Sequence, residues 1–168
     1  MVLALSALVA LQGCGTSESK EGPPFQPSNI DNPSSLLITN SDIQAAGPTT
    51  PYGVLLRWFQ ALQTRNVNRV RRSYAKPISA AEARRQVNGF RPPYSQPIRP
   101  QVKVHGDTAT IDTHVRTANQ FDGKPNVIGV RDFHTHFYLV TTLTGWRLRT
   151  ICYQAYAKGR QHSVLAVR

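Results

Sequence analysis

The segment Thr108-Ala109-Thr110-Ile111-Asp112-Thr113-His114-Val115-Arg116-Thr117 alternates residue by residue between small or apolar and charged or polar side chains. Ile111, Thr113 and Val115 fall on one side, and Asp112, His114 and Arg116 on the other. A period of two is that of a strand with one covered face, whereas a helix would scatter the same residues around its axis. Working outward, Gly106-Asp107 is a tight turn leading back to a strand over 101–105, and Thr144-Gly145 joins strands over 129–142 and 145–156. Asn119 to Asn126 reads as a longer hairpin loop. The second half of the chain is therefore predicted to be a four-stranded antiparallel meander.

The half before it has helical spacing. Thr50 is an N-cap candidate, Pro51 suits the first helical position, and Val54, Leu55, Trp58, Phe59 and Leu62 make an apolar stripe. Asn66 interrupts the pattern, and Val67, Val70 and Tyr74 continue it in a second short helix that ends before Lys76-Pro77. Ser79 and Glu82 form a capping box for a third helix, stopped at Asn88-Gly89. Four prolines over 90–100 predict a loop. The expected fold class is α+β, with three N-terminal helices packed on one face of a curved four-stranded antiparallel sheet.

Ala61-Leu62-Gln63-Thr64-Arg65-Asn66-Val67-Asn68-Arg69-Val70, the hairpin His105-Gly106-Asp107-Thr108-Ala109-Thr110-Ile111 and the strand start Thr144-Gly145-Trp146-Arg147-Leu148 together resemble the nuclear transport factor 2-like superfamily over about residues 51–156. That resemblance implies a cone, with helices over a curved sheet. The chain departs from the common plan because the third helix and the proline-rich stretch stand where an early hairpin is usual, as in the abbreviated versions found in type IV secretion and conjugation proteins. Catalytic members of the superfamily place Asp, His or Tyr inside the cone. Here the inner side is predicted to carry Ile111, Thr113, Val115, Phe133, Thr135, Phe137, Leu139, Trp146, Leu148, Thr150 and Cys152, which include no carboxylate and no general base. A non-enzymatic role without cofactor or bound metal is the expectation. The alternative is a small-molecule binder or isomerase- or cyclase-type enzyme, with a pocket lined by Trp58, Tyr74, Thr113, Phe137 and Trp146.

The opposite face is predicted to hold Asp112, His114, Arg116, Asp132, His134, His136, Tyr138, Arg147, Arg149 and Tyr153. His114, Arg116, His134, His136, Tyr138, Arg147 and Arg149 are the expected contact surface, since aromatic, His and Arg side chains suit interfaces. Three converging imidazoles also match a zinc set with Asp112 or Asp132 behind it, but the neighbouring guanidinium groups would repel a divalent ion. The contact surface is the preferred reading.

At the N-terminus, Val2 to Leu11 is an uncharged apolar run too short to span a bilayer. Leu11-Gln12-Gly13-Cys14 resembles the lipobox that precedes a lipid-modified cysteine, although Gln12 is larger than usual and no Lys or Arg precedes the run. The organisation expected is a signal peptide over 1–13, lipidation at Cys14, a flexible tether over 14–50 and a domain over 51–168. Cys152, the one other cysteine, would then be an inert thiol without an internal disulfide partner. Residues 51–168 contain nineteen Lys and Arg against five Asp and Glu, a net charge of +14, while residues 1–50 carry −3. An extracytoplasmic domain of that charge, lipid-anchored to the bacterial cell membrane, suits a protein partner in an envelope assembly or a homodimer, with anionic lipid or wall polymer as further polyanions. Nucleic acid is disfavoured by location and by the lack of a recognition motif.

Overall fold

Helix formation follows the caps. In the computed structural model, which describes residues 26–27, 33–90, 94–120, 128–157 and 160–164, helix α2 spans Pro51–Gln63 behind the Thr50 cap, whose hydroxyl accepts from the Gly53 amide. Helix α3 (Val67–Arg72) starts at Asn66, and α4 (Ala80–Gly89) starts at Ser79. Only half of the expected capping box at α4 forms: Ser79 accepts from the Glu82 amide at 3.1 Å, while the Glu82 carboxylate turns to Arg85 at 3.5 Å. The expected signal peptide, Cys14 and the expected tether up to residue 25 lie outside the described residues, as do residues 121–127 of the expected hairpin loop.

The last part of the expected tether belongs to the folded body. A 3₁₀ turn over Pro33–Leu36 and helix α1 (Asn40–Ala45) precede α2, and Leu36, Ile38 and Ile43 are buried. The polar composition of this stretch hid three anchoring side chains. Glutamine side chains complete the attachment: Gln63 Oε1 accepts from the Ile38 amide at 2.9 Å, and Gln63 Nε2 donates to the carbonyls of Leu36 and Ser95.

The sheet runs β2 (Ser95–His105), β3 (Thr108–Gln120), β4 (Ile128–Thr142), β5 (Gly145–Ala157) and β6 (Arg160–Val164), all neighbours antiparallel. A two-residue strand β1 (Gln26–Pro27) pairs with Gly129 and Val130, where β4 outruns β5. Among the described residues, β1 and β6 extend the four expected strands to six, and α1 joins the three expected helices. The proline-rich stretch is also corrected, because β2 begins at Ser95 and includes Pro97 and Pro100. Both prolines are tolerated because β2 is the sheet edge and Pro100 lies in a register shift between Ile98 and Gln101, next to Arg99 at φ +52°.

The core is aromatic at its centre. Trp58, Phe59 and Phe137 meet edge to face with ring centroids 5.0–5.9 Å apart, and Phe90 closes on Phe59 at 5.9 Å. Leu55, Leu62, Val70, Ile111, Leu139 and Leu148 pack around them. Tyr74 is buried and donates its hydroxyl hydrogen to Gln86, while the Ser73 carbonyl and Ala75 amide bridge to Leu148, fastening the chain after α3 to β5. Among the described residues no helix is long and apolar enough to cross a membrane.

A second register shift, between Tyr138 and Leu139, reverses part of the expected face assignment. Leu139 pairs with Leu148, but Tyr138 pairs with Thr150, so Arg149 is an extra residue in β5. Beyond it the alternation changes phase: Ile151 is buried opposite Phe137, whereas Thr150 and Cys152 join the outer face opposite Tyr138 and His136. Cys152 is disulfide-bonded rather than an inner thiol, and its partner sulfur lies outside the described residues. The side chains of Phe133 and Tyr153 also lie outside the described set.

Candidate functional site

The outer face of the sheet places the expected contact residues in cross-strand pairs. His114 faces His134, Asp112 faces His136, and Arg116 faces Asp132. Arg116 holds Asp132 through two hydrogen bonds of 2.9 Å, from Nε and Nη2, and this bidentate contact pushes the guanidinium pKa further up. His134 Nε2 lies 2.5 Å from Asp112 Oδ1, and His136 Nδ1 lies 3.7 Å from Asp112 Oδ2. The imidazole rings of His114 and His136 flank His134, with centroids 5.1 and 4.6 Å away. Tyr138 and Arg149 continue the face, and Arg147 turns towards a separate cleft.

Chemically, this face is more balanced than a count of its arginines implies. Asp132 compensates Arg116, and Asp112 sits between two imidazoles. Asp112, His134 and His136 also bring three ligand-type atoms within 4.8 Å of one another, a spacing that matches metal coordination. The carboxylate in that set is Asp112 itself, in place of the three imidazoles expected. These residues are half-buried at 36–39% side-chain exposure, so water and a partner both have access.

The pocket expected inside the cone is filled. Trp58 (7% exposed), Tyr74 (3%), Thr113 (1%) and Phe137 (1%) belong to the core, and Thr113 donates its hydroxyl hydrogen to the Ile98 carbonyl at 2.7 Å. Trp58 Nε1 has no hydrogen-bond partner among the described residues. Of the five expected pocket residues, only Trp146 lines an open concavity. That concavity is a cleft of about 610 Å³ between α1, α2, α3 and the β4–β5 turn, and it contains Arg57, Arg69, Arg72 and Arg147. Helical spacing was the available signal for these residues, because Arg69 and Arg72 are three apart on α3 and Arg57 lies off the apolar stripe of α2. Their convergence with Arg147 is a tertiary fact.

No family model matches the chain, and no curated protein does. Several solved structures are similar to it, two of them as follows. A candidate ketosteroid isomerase from Shewanella frigidimarina aligns at 18% identity over 62% of this chain and 95% of its own, with a TM-score of 0.48. A nuclear transport factor 2-like protein with a cystatin-like fold from Novosphingobium aromaticivorans aligns at 13% identity over 66% and 85%, also at 0.48. The class of the domain is α+β, with helices over one face of an antiparallel sheet.

Proposed function

We propose that this chain is a non-enzymatic binding module that docks a second copy of itself through the open sheet face. The observation that carries this reading is the division of labour between the two faces. The inner face is closed by Trp58, Phe59, Phe90 and Phe137, whereas the outer face presents Asp112, His134, His136, Arg116 and Asp132 half-buried in matched pairs. A face that contains both signs in register is self-complementary about a two-fold axis, because a carboxylate of one copy can meet an imidazole or guanidinium of the other. A uniformly cationic face would repel its own copy.

Sedimentation velocity on the full chain tests the proposal. A dimer at micromolar concentration is expected, with His136→Glu, which adds a carboxylate beside Asp112, and Thr150→Lys each shifting it to monomer while the thermal unfolding midpoint is retained. A native protein that stays monomeric, or folded variants that dimerise as tightly as the native chain, would overturn it.

A further inference from the structure

The cleft bounded by α1, α2, α3 and the β4–β5 turn lies apart from the sheet face. Arg57, Arg69, Arg72 and Arg147 line it, and among the described residues no carboxylate does. Neither ion pair that the described arginines make, Arg85–Glu82 or Arg116–Asp132, involves a cleft residue. Arg147 donates to the Trp146 carbonyl at 2.8 Å and to the Thr144 hydroxyl at 2.9 Å, which fixes its guanidinium at the mouth without neutralising it. Arg57 is held below its ordinary pKa by partial burial and then by the positive charge of Arg147. Like charges brought together on three separate elements raise the free energy of the folded chain unless an anion answers them. The remaining wall supplies apolar surface from Ile43 and Trp146.

We propose that this cleft binds a phosphate-bearing ligand, its oxyanion held by the guanidinium groups and its organic part laid against Trp146. Phosphate fits better than carboxylate because several forked guanidinium groups need more than two acceptor oxygens, and a phosphate monoester offers three with nearly two negative charges. The volume of about 610 Å³ exceeds that of the oxyanion alone and leaves room for the attached group. The required chemistry is the same whether the phosphate is a lipid headgroup or belongs to a soluble molecule. This inference is independent of association through the sheet face.

Binding of phenyl phosphate by calorimetry, and of vesicles of equal parts phosphatidic acid and phosphatidylcholine by co-sedimentation, tests the site on the full chain. The Arg57→Ala/Arg147→Ala pair is compared with Arg84→Ala/Lys103→Ala, which removes the same charge from exposed positions outside the cleft. The cleft pair should weaken binding at least about tenfold, and the control pair less than about twofold. Loss with phenyl phosphate alone assigns a soluble ligand, loss with vesicles alone assigns a headgroup, and loss of both assigns the shared chemistry. If Arg147→Ala disturbs the turn, Arg69→Ala/Arg72→Ala on α3 replaces it, with the same loss expected. Binding of neither probe by the native chain, or equal weakening by the cleft and control pairs, would overturn the proposal.

Discussion

Gly53 shows how a single residue fixes the entry to the body. It lies in α2, where alanine is ordinarily preferred by about 1 kcal/mol, yet a Cβ there would lie 2.0 Å from the Gly47 carbonyl oxygen and 2.8 Å from its carbonyl carbon. The obstacle is backbone held by the Thr50 amide and hydroxyl, both bonded to that same carbonyl. Gly53→Ala is therefore expected to lose about 1–3 kcal/mol of stability by overpacking, measured by urea unfolding, despite the gain in helix propensity. At the sheet face the decisive residue is Asp112. The alternation of β3 placed it outward, but its role as the acceptor shared by His134 and His136 depended on register, which pairs Asp112 with His136 and leaves His134 diagonally adjacent.

Two elements merit tests of their own. Helix α1 starts with a complete capping box: the Thr39 hydroxyl accepts from the Asp42 amide, and the Asp42 carboxylate accepts from the Thr39 amide at 2.7 Å. The Thr39 contacts lower the Asp42 pKa below its ordinary 3.8. A depressed carboxylate stabilises the helix above the unfolded value and loses that contribution as the pH falls through the folded value. Asp42→Ala should consequently reduce hydrogen-exchange protection of α1 amides near neutral pH by about 0.5–1 kcal/mol, with the difference from native vanishing in acid. Strand β5 makes the opposite kind of prediction. Arg149 is the extra residue at its register shift, so deleting Arg149 leaves Leu148 and Ile151 facing inward with regular alternation between them. The deletion variant should fold, with a thermal midpoint near the native one. Removing Thr110, which would turn Ile111 outward from a regular stretch of β3, should leave no cooperative unfolding transition.

At the scale of the molecule, the net charge of +14 over residues 51–168 is not spread over the sheet face as the arginine count implied. The sheet face is partly compensated, and four arginines with no carboxylate beside them among the described residues gather in the cleft. The two sulfur atoms pose a separate question of chemistry. A sulfur takes either a thioether lipid or a disulfide, and a disulfide within a chain of two cysteines would leave none for the anchor. Because Cys152 is disulfide-bonded, mass spectrometry of unreduced digests is expected to recover the N-terminal peptide joined to the Cys152 peptide. A Cys14 peptide bearing diacylglycerol instead would restore the anchor that the lipobox leads one to expect.

What the residues determined by themselves are the features set by nearest neighbours. Caps at Thr50 and Ser79, the period of two from Ile111 to Val115, and the turns at Gly106 and Gly145 are local and were legible. Only tertiary structure decided the rest. The bulge at Arg149 moved Cys152 to the outer face, Gln63 drew residues 36–38 onto the body, an edge position admitted prolines into β2, and the packing of α2, α3 and the start of β5 gathered the arginines of the cleft. Each of these depends on which distant segments touch, and a contact between positions far apart in the chain leaves no periodic trace in either of them.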